Sequence, residues 1–381
     1  RAAMEEAQKR LSSWLIDSAY PLWSTHGVDR VRGGFHERLN GTESLDEPRR
    51  ARVQPRQVSA FAMSTELGWK GDAAALANHG LDYFLARYRR ADGLFRTLIN
   101  SDGTPRDDRA LLYDQAFALL AFAESQRVLG PLPQLTDEAR SLRATLYRTL
   151  KCAGAGFETG LPTGAALSSN AHMHLLEASL AWLEVSDDPE WRTMADEIGT
   201  LALTRFIDAS SGAVREHFTG LWAPVPGVDG RIVEPGHLFE WAWLLLRWGG
   251  DERPEARRAA YRLIELGEGH GVRGGVAINS LLDDFSVRDG SARLWPQTER
   301  LKAAALAVRL TGESRYREMV TSAARGLQRY LDTKVAGSWY DRITLEGRLI
   351  EEPAPASTFY HVVAAVAELT RAVGAATSPG H

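Results

Sequence analysis

The sequence predicts an all-α fold, an (α/α)6 barrel of about six helical hairpins with short β-hairpins in its long loops. Three observations predict it. Apolar residues recur at helical spacing along most of the chain. Connections alternate between short turns and stretches of roughly 20–30 residues, a length uncommon inside a compact domain and commonly functional. The unit of helix, long loop, helix and short turn recurs about every 60 residues. Six hairpins closing into a ring give the barrel; a linear solenoid is the alternative. No linker, low-complexity tract or charge run splits the chain, so residues 1–381 read as one domain.

Helices are expected near 3–20, 54–68, 72–89, 110–129, 135–149, 170–185, 189–207, 234–249, 254–268, 293–310, 314–332 and 356–373. The first is amphipathic. Gly68 to Asp72 turns the second into the third, and Gly130-Pro131 parts the fourth from the fifth. Ser186-Asp187-Asp188-Pro189 parts the sixth from the seventh. Pro235 and Gly236 mark the start of the eighth, Leu244-Leu245-Leu246 continues it, and Gly249-Gly250-Asp251 ends it. Thr311-Gly312-Glu313 separates the tenth from the eleventh. The long loops resemble one another, each with a Gly near an aromatic or β-branched residue. They contain Gly33-Gly34-Phe35, Asp92-Gly93-Leu94-Phe95, Gly156-Phe157-Glu158, Gly212-Ala213-Val214, Gly274-Gly275-Val276 and Gly337-Ser338-Trp339-Tyr340, read as short hairpins or extended segments.

Composition narrows the function. Hydrophobic residues make up 44% and charged residues 25% of the 381, ordinary for a soluble globular protein. A net charge of −4 lacks the basic face that a general nucleic-acid partner needs. No apolar run approaches the roughly 18 residues that span a bilayer, and residues 1–20 read as an amphipathic helix rather than a leader. Cys152 is the single cysteine, so neither a disulfide framework nor a thiolate metal cluster is expected. The expectation is a cytoplasmic monomer or homodimer with no membrane partner. The 11 tryptophans fit helix packing or a sugar-stacking pocket.

The helix that follows each long loop starts on unusual polar residues. These are Arg52-Val53-Gln54-Pro55-Arg56-Gln57, Tyr113-Asp114-Gln115, Asn170-Ala171-His172-Met173-His174, Glu234-Pro235-Gly236-His237, Arg293-Leu294-Trp295-Pro296-Gln297-Thr298-Glu299 and Ser357-Thr358-Phe359-Tyr360-His361. In a closed ring they converge on one mouth. His237 and Glu240 lie three apart on one face of a first turn, a candidate proton-transfer pair. His172 and His174 are two apart and diverge by roughly 200°, so at most one faces the cavity squarely. Plainer roles stand beside these: His237 as a cap with Glu240 favoured by the dipole, His361 as a buried histidine, Trp295 and Trp241 as core. Arg56 can pair with Asp114, and Glu299 with Lys302. The histidines sit in separate repeats and no His-Glu-x-x-His occurs, so no metal is expected. No dinucleotide or P-loop motif supports a nucleotide cofactor, and no nucleophile elbow supports a Ser-His-Asp triad.

These segments match a known family in order along the whole chain. Gln54-x-Arg56-Gln57, Asn170-x-x-Met173-His174-Leu175-Leu176-Glu177-Ala178, Glu234-Pro235-Gly236-His237-x-x-Glu240-Trp241, Arg293-x-Trp295-Pro296-Gln297-Thr298-Glu299 and Tyr360-His361 resemble the N-acylglucosamine 2-epimerase superfamily. Ala171 departs from it, standing where many relatives have Pro at the helix start. The resemblance implies an (α/α)6 barrel and either 2-epimerisation or aldose–ketose isomerisation of a monosaccharide, without a cofactor. It implies that His237 and His361 transfer protons and that His174 serves sugar binding and ring opening. Arg56, Asn170, Gln297 and Trp295 would bind or stack on sugar, Glu240 and Glu299 would tune the histidines, and Tyr113 joins the binding set.

The C2 proton of an open-chain aldose is weakly acidic, so a base with a pKa near neutrality must take it while the enediolate oxygen is stabilised. Histidine suits this, and Arg56 can face the developing charge. The expected reaction is cofactor-independent isomerisation of D-mannose, or a close relative, to D-fructose. The runner-up is a 2-epimerase acting on N-acetylglucosamine, glucose or cellobiose. A glycoside hydrolase using two of Glu240, Glu299 and Asp114, and a pure sugar-binding role, complete the alternatives.

Overall fold

The computed structural model describes residues 1–377. Its helices are α1 (Ala2–Trp14), α2 (Tyr20–Thr25), α3 (Val53–Met63), α4 (Ala73–Arg87), α5 (Leu112–Leu129), α6 (Pro133–Thr149), α7 (Ser169–Leu183), α8 (Glu190–Leu201), α9 (Pro235–Gly249), α10 (Pro254–Gly271), α11 (Trp295–Thr311), α12 (Ser314–Leu331) and α13 (Phe359–Thr377). The predicted helix 3–20 runs through to Thr25, with a wide π-type turn at Leu15–Ala19. Pro21 lies just beyond that turn and has no N–H to give the carbonyl four residues back, so the ladder widens there.

Helices α3, α5, α7, α9, α11 and α13 form an inner wall in which each packs on the next. Helix α13 packs on α3, so the ring is closed and the linear solenoid is excluded. Each of α4, α6, α8, α10 and α12 lies outside the inner helix that precedes it, and α1 packs on α12 and α13. Sequence dictates the two layers. Inner helices are covered on both sides, and even Gln297, Thr298, Glu299, Arg300 and Lys302 of α11 are buried beside Ala303-Ala304-Ala305. Outer helices bury one stripe: α12 hides Tyr316, Met319, Val320, Ala323 and Leu327 at helical spacing. Trp182 of α7 stacks on Trp191 of α8 with ring centroids 5.3 Å apart, and both are buried.

A second ring of contacts closes the mouth. The strand just before each inner helix pairs antiparallel with the next long loop. Arg49–Arg50 pairs with Leu98–Ile99, Ala110–Leu111 with Gly160–Leu161, and Leu167–Ser168 with His217–Phe218. Ile232–Val233 pairs with Ser280–Leu282, Ala292–Arg293 with Arg342–Ile343, and Ala354–Pro355 returns to Arg38–Asn40. These ladders hold residues expected to be helical, which is why α5 and α11 start at Leu112 and Trp295. A 3₁₀ turn at Ala356–Thr358 likewise delays α13.

Candidate active site

The N-terminal ends of all six inner helices border one cavity of about 630 Å³. Helix N-termini carry partial positive charge, so six of them favour an anion or developing oxyanion inside. Of the residues expected at the site, Arg56, Tyr113, Asn170, His174, His237, Glu240, Trp295 and His361 line this cavity. Gln297 and Glu299 do not.

Four histidines line the cavity, His174, His217, His237 and His361, and three of them, His174, His237 and His361, stand in different electrostatic settings. His237 Nδ1 lies 2.8 Å from Glu216 Oε1 and 3.8 Å from Glu234 Oε2. Burial alone would lower its pKa, but Glu216 and Glu234 overcome that and push it up to about 10. His237 is therefore an imidazolium at neutral pH. His361 is the reverse: burial, then Arg56 and Lys302, hold it well below the usual range, so it is a neutral base. The Trp295 ring stands beside both, with centroids 5.0 Å from His237 and 5.7 Å from His361.

His174 is also neutral, lowered to about 4 by burial against the pull of Glu177. The Glu177 carboxylate accepts from His174 Nδ1 at 3.1 Å and from the Tyr360 hydroxyl at 3.0 Å. Burial works to raise Glu177, but the hydrogen bond from His174 and the charge of Lys302 keep it lowered and ionised. A carboxylate on Nδ1 fixes the tautomer, leaving Nε2 of His174 as the acceptor on the cavity side.

Arg56 has its guanidinium over the Phe117 ring at 4.2 Å and donates to the Ser357 carbonyl at 3.1 Å and to the Tyr113 hydroxyl. Arg52, rather than Arg56, pairs with the buried Asp114, at 3.4 Å. Glu240 is buried with neither oxygen hydrogen-bonded; burial and the nearby Glu299 raise its pKa well above the carboxylate range, so it can donate. Asn170 Oδ1 is likewise buried without a partner, which leaves it for a substrate hydroxyl.

Glu299 lies off the cavity, 2.5 Å from Lys302 and 3.6 Å from His361 Nδ1. Gln297 corrects the expectation of a sugar ligand. Its side chain accepts from the Ala277 N–H at 2.7 Å and donates to the Ala277 carbonyl at 2.8 Å and the Arg293 carbonyl at 2.9 Å. The same clamp recurs in other repeats. Gln54 grips both backbone groups of Phe35, Gln115 grips those of Phe95, and His172 accepts from the Phe157 N–H. The three amides tie α3, α5 and α11 to their hairpins, and the His172 imidazole does the same for α7. Close packing explains Gly34: φ is +66°, and a Cβ there would clash with the Tyr83 ring and sit 2.7 Å from Gln54 Oε1.

Sequence reasoning missed Glu216, which sets the state of His237, and gave no role to Glu177 or Glu234. A signal existed. Glu216 lies two residues after Val214, as Glu37, Thr97, Thr159, Asn279 and Asp341 lie two after Phe35, Phe95, Phe157, Ala277 and Trp339. Aligning the hairpins marks this position, whose backbone carbonyl repeatedly accepts from an N–H at the start of an inner helix.

Among the described residues two sets of three side chains are close enough to share a cation, His174–Glu177–Glu240 and Glu216–Glu234–His237, with ligand atoms within 4.8 Å of one another. In each, the histidine's Nδ1 is already engaged by a carboxylate of the set.

A sequence model described as N-acylglucosamine 2-epimerase (GlcNAc 2-epimerase) matches residues 33–365. The chain belongs to that family. It is an enzyme of the sugar isomerase and epimerase class. It is 48% identical over 371 residues to a Rhizobium meliloti (strain 1021) protein named mannose-6-phosphate isomerase, covering 94% of this chain and 95% of that one. It is 27% identical over 356 residues to a D-mannose isomerase of Pseudomonas cannabina pv. alisalensis, covering 83% and 84%. The fold matches a cellobiose 2-epimerase structure from Spirochaeta thermophila at a TM-score of 0.88 and 21% identity, over 99% of each chain. Among the described residues no helix is long and apolar enough to cross a membrane.

Proposed function

We propose that the protein is a cofactor-independent aldose–ketose isomerase that interconverts D-mannose, free or phosphorylated at C6, with the corresponding fructose. One observation carries the reading: a neutral His361 and a charged His237 face one cavity beside Trp295. Ring opening comes first: Nε2 of His174 takes the anomeric hydroxyl proton, the C1–O5 bond breaks, and the ring oxygen takes a proton from water in the cavity. His361 then removes the C2 proton. The resulting enediolate lies among Arg56, the His237 imidazolium and the helix N-termini, each of which stabilises its charge. Return of the proton to C1, with the O2 hydroxyl proton passing to O1, gives the ketose; delivery by His237 to the other face of C2, with O1 again the carbonyl oxygen, gives the epimer.

The relatives of higher identity carry isomerase names, which supports the first outcome. Phosphate is compatible with the mouth, where Arg50, Arg52, Arg288 and Arg293 line the same cavity. The hydrolase reading lacks its geometry, because Asp114 is paired with Arg52 and Glu299 lies off the cavity. Incubation with D-mannose and with D-mannose 6-phosphate tests the proposal. Fructose, or its 6-phosphate, is expected; glucose or its phosphate without any ketose makes the protein a 2-epimerase.

A further inference from the structure

The inner ring is hollow at its other end too. A second cavity of about 460 Å³ is lined by residues of all six inner helices, from Ser59 and Leu120 to Ala181, Trp243, Leu306 and Glu368. Glu177 and Tyr360 form part of its wall, whereas His174 lines the sugar cavity. The 3.1 Å hydrogen bond from His174 Nδ1 to Glu177 therefore crosses the partition between the two cavities. The rear cavity is polar enough to hold water: Ser59 Oγ and Trp243 Nε1 are buried there without a hydrogen-bond partner, and the charged groups of Glu124, Glu177 and Arg127 share its wall.

We propose that this rear cavity is the proton port of the active site, through which the His174–Glu177–Tyr360 group exchanges protons with bulk water while sugar fills the front. The inference rests on the isomerase reading, which gives His174 a proton to handle. A proton gained at Nε2 of His174 from the anomeric hydroxyl is matched by loss of the Nδ1 proton to the Glu177 carboxylate. From Glu177 it passes to water in the rear cavity, and the reverse path returns it, so a turnover consumes none. Glu177 touches no sugar; it is a relay and positioning residue. Glu124, on the same cavity, is the next station. Burial and Glu184, with a smaller push from Glu177 against Arg247 and Arg371, raise it to about 7, so it both takes and releases a proton near neutrality. Its Oε2 accepts from Arg127 at 2.6 Å.

The test uses the full chain labelled with ¹⁵N-histidine. The His174 ring N–H signal is assigned by its loss in His174→Gln, and its exchange with water is measured by NMR. Ala181→Phe, which fills the rear cavity, slows that exchange by about tenfold or more, and Glu124→Gln slows it several-fold. Saturating mannose, which closes the front, leaves the wild-type rate within about twofold. Wild-type exchange in both variants, or exchange halted by sugar in the wild type, overturns the port. If Ala181→Phe fails to fold, Glu124→Gln decides alone. Turnover of mannose and mannose 6-phosphate by the same wild-type sample reports separately on the isomerase reading.

Discussion

Replacing Glu216 with Gln removes one full negative charge from His237 and leaves the fold's backbone contacts in place. The two groups are 2.8 Å apart, and both are buried. At an effective dielectric constant of about 20, unit charges about 4 Å apart interact by roughly 4 kcal/mol, and one pKa unit is about 1.4 kcal/mol. Loss of that charge therefore lowers His237 by about 3 units, from about 10 to about 7. The active form of His237 is the protonated one, so the alkaline limb of kcat/KM moves down by the same amount. At pH 8.5 the variant falls about 30-fold below wild type, whereas at pH 6 it stays within a few-fold. The sign also governs stability. A folded-state pKa raised above the unfolded value contributes stability that is complete below about 6.5 and lost as pH rises through about 10. In Glu216→Gln that dependence between pH 7 and 10 disappears. The assay is a pH profile of kcat/KM together with thermal melts at each pH. An alkaline limb that stays in place in Glu216→Gln refutes the electrostatic account of His237.

Other variants separate chemistry from architecture. His361→Ala and His237→Ala each lose turnover by about 10²–10⁴-fold with circular dichroism unchanged; activity within tenfold of wild type rejects the assigned role. Gln297→Ala loses its bonds to Ala277 and Arg293 and is destabilised by about 2–3 kcal/mol, seen as a lower Tm, with KM nearly unchanged. A large rise in KM at constant Tm would restore Gln297 as a sugar ligand. Arg56→Lys keeps the charge but loses the planar contacts over Phe117 and the fork to Ser357 and Tyr113; kcat falls about tenfold or more, and an unchanged kcat excludes an oxyanion role.

The ring was legible because a unit of helix, long loop, helix and short turn recurs about every 60 residues. The periodicity of Leu244-Leu245-Leu246 and the turn at Thr311-Gly312-Glu313 placed the helix bodies. Their starts were less legible. Ala110–Leu111 and Ala292–Arg293 continue a helical apolar pattern, yet a partner strand from the next repeat takes their backbone groups. Residues such as His174, His237 and His361 could be found because one helix start in each repeat carries them to a common mouth. Glu216 could not be found that way. It lies in a hairpin 21 residues before His237, and the return of that long loop onto the start of α9 brings the two into contact. Gln297 shows the converse: its motif match was specific, but a motif does not give the direction of a side chain, and this amide is spent on a neighbouring hairpin. Arg52 rather than Arg56 pairing with Asp114 is a similar case, where spacing allowed either and packing chose.

The most direct test of proton transfer through an enediolate follows the hydrogen itself. D-mannose carrying deuterium at C2, or its 6-phosphate, is converted in ordinary water and the product read by NMR. The account predicts that part of the label reaches C1 of fructose, that the rest is lost to solvent, and that His361→Ala does neither. Complete retention of the label at C1, with none released to water over many turnovers, would indicate a hydride shift and contradict it.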